Sequence, residues 1–122
     1  MWLMTKYGFY SIVQKQPGEY HVRSRERKDI ENLVTRLPLA QVQIIESKRS
    51  DYAFRIIVRK EDVVVIMKFL GETIDYDNFK NKIGQTPDQK HKPYHEVWGI
   101  LAEDLGAYGR KPGWMRRSKS PE

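Results

Sequence analysis

The 122-residue chain contains no cysteine, which excludes disulfides, thiolate nucleophiles and cysteine-ligated metal centres. It also lacks long apolar runs. No window approaches the roughly 18 consecutive apolar residues of a membrane helix. The opening MWLMTKYGF has only a short apolar run and no basic segment before it. Neither a signal peptide nor a membrane span is expected, and the expected location is the cytoplasm. The glycines at 71, 84, 99 and 106 are too scattered for a phosphate-binding loop, a dinucleotide fingerprint or a serine elbow. No cofactor is expected.

What the chain does have is charge, and it is unevenly placed. The net charge is +6. Residues 1–60 hold 12 Lys/Arg against 6 Asp/Glu, residues 61–106 hold 5 against 9, and residues 107–122 hold 5 against 1. A basic first half and a basic tail around an acidic stretch suit a polyanionic partner. They equally suit a tail that lies on the protein's own acidic half.

The clearest local pattern runs from Asp51 to Leu70. Tyr52, Phe54, Ile56 and Val58 alternate with Ala53, Arg55, Ile57 and Arg59, the period of a half-buried strand. Val63, Ile66, Met67 and Leu70 then recur at helical spacing, with Glu61 and Asp62 in the first turn and Gly71 beyond the end. Upstream, residues 2–14 read as one strand interrupted by Gly8, at a bulge or a close backbone approach. Gln16-Pro17-Gly18 marks a turn, and Tyr20 to Arg25 a returning strand. Ser24 is placed to cap a helix over residues 26–37, whose apolar stripe is Ile30, Leu33, Val34 and Leu37. Val42, Ile44 and Ile45 seed a further strand.

The resulting order, ββαββα, predicts an α+β domain over residues 1–106. Its core is a four-stranded antiparallel sheet with helices packed on one face, in a ferredoxin-like or permuted layout. A short helix ending near Ile83, with Asp75 or Asp77 as N-cap, and a C-terminal helix over residues 93–105 complete it. Tyr94, Val97, Trp98, Leu101 and Leu105 share one face of that last helix. Residues 107–122 read as a basic, flexible tail.

In order along the chain, the segments TKYGFYSIVQK, EYHVRSR, DYAFR, IDYDNFK and YHEVW resemble an uncharacterised family of small bacterial proteins. Its members open with a tryptophan and a GF-F/Y-SIVQ segment. The resemblance covers residues 1–101, leaves the basic tail outside, and implies no activity, ligand or catalytic residue.

The chemistry-bearing residues gather on the outward positions of the strands. If Tyr20 and Val22 point into the core, His21, Arg23 and Arg25 point out. If Tyr52, Phe54, Ile56 and Val58 point in, Arg55 and Arg59 point out. Gln41 and Gln43 join that face from the third strand. Guanidinium forks match phosphate oxygens, and a basic sheet with aromatics nearby, here Phe9 and Tyr10, suits single-stranded nucleic acid. The plainer alternative is a solvent-facing sheet whose arginines pair with Glu19, Glu46 and Asp51. In the tail, Arg110, Lys111, Arg116 and Arg117 surround Trp114 and suit nucleic acid, an acidic membrane surface or a partner protein. With His21 and the sheet arginines they form the candidate nucleic-acid-binding set.

Other constellations point to less. His91 and His95 are four apart, but Pro93 between them places His91 ahead of regular helix, and no third ligand is evident, so no metal site is expected. Asp75, Asp77 and Asn78 read as helix caps rather than cation ligands. Three functions follow: a polyanion-binding module with nucleic acid as first candidate, a protein-interaction module forming a homodimer, and a small phosphate-ester enzyme using His21 and the arginines. Binding is favoured over catalysis.

Overall fold

The computed structural model describes residues 1–39, 42–85 and 90–106. The chain divides into two compact units, Met1–Asp77 and Asn78–Glu122. The first holds a five-stranded antiparallel sheet with two helices, and the second holds two further helices.

The expected first strand is two strands. β1 (Trp2–Thr5) and β2 (Gly8–Gln16) form a hairpin, with Trp2 opposite Ser11, Leu3 opposite Tyr10 and Thr5 opposite Gly8. The Thr5 hydroxyl builds the turn: it accepts from the N–H groups of Tyr7 (3.1 Å) and Gly8 (3.2 Å) and donates to the Gly8 carbonyl (2.8 Å). Gly8 has φ 153°, and a Cβ there would sit 2.4 Å from Asp29 Cγ. Close approach is therefore the reason for this glycine, and the reversal beside it raises the strand count from four to five.

β3 (Glu19–Ser24) returns antiparallel to β2 after the Pro17–Gly18 turn, with Ile12 opposite Val22 and Ser11 opposite Arg23. α1 (Arg27–Val34) follows. It is shorter than the periodicity suggested: it ends at Val34 with Thr35 as C-cap, whose hydroxyl donates to the Glu31 carbonyl (2.8 Å). Ser24 belongs to β3 and donates to the Glu26 carbonyl (2.6 Å), so it does not cap the helix. β4 is only Ile45–Glu46, paired with β5 (Phe54–Val58) at the sheet edge. Val42 and Ile44 pack on the core from outside the strand. β5 also pairs with β3, which fixes the order β1-β2-β3-β5-β4. β3 and β4 are thus parallel, joined through α1, with β5 inserted between them.

α2 (Lys60–Glu72) begins where Asp62 accepts a hydrogen bond from the Arg59 N–H (3.1 Å). Ile30 and Leu33 of α1 and Ile66 of α2 pack with Tyr10, Ile12, Val22, Ile56 and Val58, so both helices cover one face of the sheet. No helix among the described residues is long and apolar enough to cross a membrane.

In the second unit, α3 (Phe79–Gly84) is capped by Asn78, whose side-chain oxygen accepts from the Asn81 N–H (3.0 Å). Neither expected aspartate is the cap; Asp75 instead pairs with Lys6 at 3.1 Å. α4 (His91–Leu105) starts two residues before Pro93, which lies in the first turn where a helix has no intrahelical use for its N–H. Phe79 stacks on Tyr94 with ring centroids 5.7 Å apart. Of the apolar stripe expected on α4 only Tyr94 is buried; Val97, Trp98, Leu101 and Leu105 are exposed.

Candidate nucleic-acid interface

Residues directly opposite one another on antiparallel strands project to the same face. The register therefore aligns Trp2, Ser11, Arg23, Arg55 and Ile45 in one row across all five strands. Val13, His21 and Ile57 form the adjacent row on that face. Ile12, Val22 and Ile56, one residue along each strand, face the helices. His21, Arg23 and Arg55 thus share the face away from α1 and α2, as the alternation implied.

Arg23 donates through Nη2 to the Ser11 hydroxyl (2.8 Å), and its guanidinium carbon lies 4.6 Å from the centre of the Tyr52 ring. Arg25 stacks on the same ring, also at 4.6 Å, and donates through Nη1 to the Asp51 carbonyl (3.0 Å). Tyr52 is only 8% exposed, yet it lies outside the sheet-and-helix core. The expectation that it points inward with Phe54 is corrected: β5 begins at Phe54, so the alternation does not reach back to Tyr52, which is buried beneath two guanidinium groups instead.

Arg55 spreads its fork over two groups. Nη1 contacts His21 Nδ1 (3.1 Å), and Nη2 donates to the Ser50 hydroxyl (3.0 Å) and the Tyr52 carbonyl (3.4 Å). A guanidinium can only donate, so His21 Nδ1 accepts. The ring proton then sits on Nε2 and is donated to the Glu19 carboxylate at 2.9 Å. Both nitrogens of this buried histidine are engaged.

None of the carboxylates expected to neutralise this face pairs directly with one of its arginines. Glu19 is taken by His21, Glu46 stands opposite Phe54 in the neighbouring row, and Asp51 offers Arg25 its backbone carbonyl. Among the described residues no carboxylate forms an ion pair with Arg23, Arg25, Arg55 or Arg59. Arg23 and Arg55 nevertheless stand directly opposite each other, an arrangement that repels. Neutral acceptors and an aromatic ring hold them there, which leaves their positive charge uncancelled. Arg59 is exposed at the start of α2, where it lines an open hollow of about 500 Å³ with Gly18, Glu19 and Ile57.

The aromatic contribution differs from expectation. Tyr10 is fully buried on the helix-covered face and donates its hydroxyl to the Asp29 carbonyl (2.7 Å), so it cannot meet a ligand. Phe9 is on the arginine face, opposite Met4, and so is Trp2, which is 75% exposed with its ring 6.4 Å from that of Phe9. Reading residues 2–14 as one strand hid Trp2; the Thr5–Gly8 reversal was the signal that could have found it. Gln43 is exposed but outside any strand, while Gln41 and the tail residues Arg110, Lys111, Arg116 and Arg117 lie outside the described residues.

His91, His95 and Trp98 stack along α4, with successive centroid separations of 6.1 and 5.7 Å. Among the described residues, no three His, Asp or Glu side chains gather closely enough to hold a metal ion. Comparison with family models, with curated proteins and with solved structures finds no match for the chain.

Proposed function

We propose that the protein is a polyanion-binding module, with nucleic acid as the polyanion, using His21, Arg23 and Arg55 on the sheet face, Arg25 and Arg59 just beyond the ends of β3 and β5, and the basic tail. One observation carries this reading: the face holds opposed arginines with no carboxylate partner among the described residues. Phosphate oxygens would supply the missing charge, and the guanidinium forks are already oriented by Ser11, Ser50 and Tyr52. The order β2-β3-β5-β4 with α1 and α2 on one face also suits a permuted ferredoxin-like layout with β1 added. That layout supports only the availability of an open sheet face, because fold alone does not specify function.

The test is the salt dependence of binding to labelled oligonucleotides and to heparin. Removing one arginine–phosphate interaction should flatten the logarithmic slope by about 0.7 on a single strand. Replacing Arg23 and Arg55 with glutamine should lower it by about one unit or slightly more, and deleting residues 107–122 by about three. Absence of binding by the intact chain at low salt would sink the proposal.

A second reading, association with another copy of the chain, is favoured by a separate observation. Val64, Val65 and Met67 of α2 and Val97, Ile100, Leu101 and Leu105 of α4 are exposed apolar residues. A phosphate-ester enzyme built on His21 is less favoured, since neither ring nitrogen is free to exchange a proton with a substrate.

A further inference from the structure

Trp2 stands in the same row as the two opposed arginines, separated from Arg23 by the single strand that carries Ser11. Neighbouring strands are about 4.8 Å apart, so Trp2 and Arg23 are roughly 10 Å apart along the row. A nucleic-acid strand stacked at about 3.4 Å per residue spans that distance in about three nucleotides. Phe9 supports the tryptophan from one side, and the Ile12 N–H bonds the Met1 carbonyl (2.9 Å) to hold the start of β1 in place. The indole is thus a positioned aromatic surface, three-quarters open to solvent, at the end of a row of uncancelled positive charge.

We infer that the ligand of this face is single-stranded nucleic acid, with an unpaired base stacked on Trp2 while Arg23 and Arg55 hold the nearby backbone phosphates. The inference rests on the polyanion-binding reading above and narrows it. A duplex turns its base faces inward and can offer this surface only phosphates, so it would leave Trp2 unused. A single strand offers π-faces and phosphates side by side, the combination that this row presents. Stacking is tolerant of base identity, and no described group on the row is left to read base edges. Weak sequence preference follows.

The experiment uses the full chain and fluorescence anisotropy. Its probes are a short oligothymidylate, an oligouridylate, an abasic strand of equal length and charge, and a duplex. The strands bearing bases should bind roughly tenfold more tightly than the abasic strand, the scale of one aromatic–base stack. Trp2→Ala should erase that difference while leaving the affinity for the abasic strand unchanged. Because Trp2 is largely exposed, the core survives its loss. Trp2→Tyr should recover most of the difference, which separates stacking from any structural effect. A preference for the uridylate identifies RNA as the source of the strand and a preference for the thymidylate identifies DNA, and either supports the inference. Equal binding of abasic and base-bearing strands, or of duplex and single strand, overturns it but leaves the polyanion-binding reading standing. Failure of every probe and of heparin to bind at low salt overturns both.

Discussion

Asp29 is the buried residue on which the amino-terminal hairpin rests. Its carboxylate accepts the Phe9 N–H at 3.1 Å, and its carbonyl accepts the Tyr10 hydroxyl. Both interactions require β2 to pass so close to α1 that only a hydrogen fits at the α-carbon of Gly8. Gly8→Ala combines a backbone conformation unfavourable for an L-residue with a direct overlap on Asp29. A loss on the order of 3 kcal/mol is expected, read as a lower denaturation midpoint in urea. A change below about 0.5 kcal/mol would mean that the hairpin can shift freely away from α1. The arginines show the opposite economy. Burial of Tyr52 beneath Arg23 and Arg25 gives the guanidiniums an apolar and π-rich support without neutralising them. Packing and available charge coexist at one site.

Among the elements, the β1–β2 hairpin matters most, because it brings Trp2 and Phe9 to the arginine face. The Thr5 hydroxyl organises the turn through three hydrogen bonds. Thr5→Val keeps the shape of the side chain and removes all three. The expected cost is about 1–3 kcal/mol, concentrated in β1. Hydrogen exchange should register it as faster exchange of the β1 and β2 edge amides, with β3 and β5 unaffected. Uniform acceleration across the sheet would show instead that β1 unfolds only with the whole unit. At the opposite edge, β4 is two residues long, so the sheet presents little regular edge there for further pairing.

For the whole molecule, the decisive quantities are charge and exposed apolar area. The basic sheet lies in the first unit, the acidic stretch spans residues 61–106, and the tail is basic again. Such a distribution would suit a polyanionic partner, and it would equally suit the complementary region of a second copy. Together with the exposed apolar residues of α2 and α4, this predicts a homodimer in sedimentation velocity at roughly ten micromolar. The apolar share of that association is insensitive to screening, so the dimer should persist in high salt, whereas the proposed nucleic-acid binding should weaken steeply there. A monomer at that concentration counts against the association reading and leaves the polyanion-binding proposal untouched.

Local alternation alone was enough to place His21, Arg23 and Arg55 on one face, because side-chain direction along a strand is a property of the strand itself. The helix expected up to Leu70 was legible for the same reason, from its local apolar spacing and acidic first turn, but Gly71 does not end it: α2 runs through that glycine to Glu72. The α+β class followed from the order of such segments. Other features could not be read this way. One run of residues 2–16 can be a bulged strand or a hairpin, and the choice lies in whether Thr5 closes a turn and Gly8 meets Asp29, 21 residues further on. The facing of Arg23 and Arg55, the covering of Tyr52, the capture of Glu19 by His21 and the place of Trp2 all depend on which strands become neighbours and in what register. Register is set by burial of the whole sheet against α1 and α2. Pairing between residues some thirty positions apart is therefore what turned scattered arginines into a face of uncancelled charge.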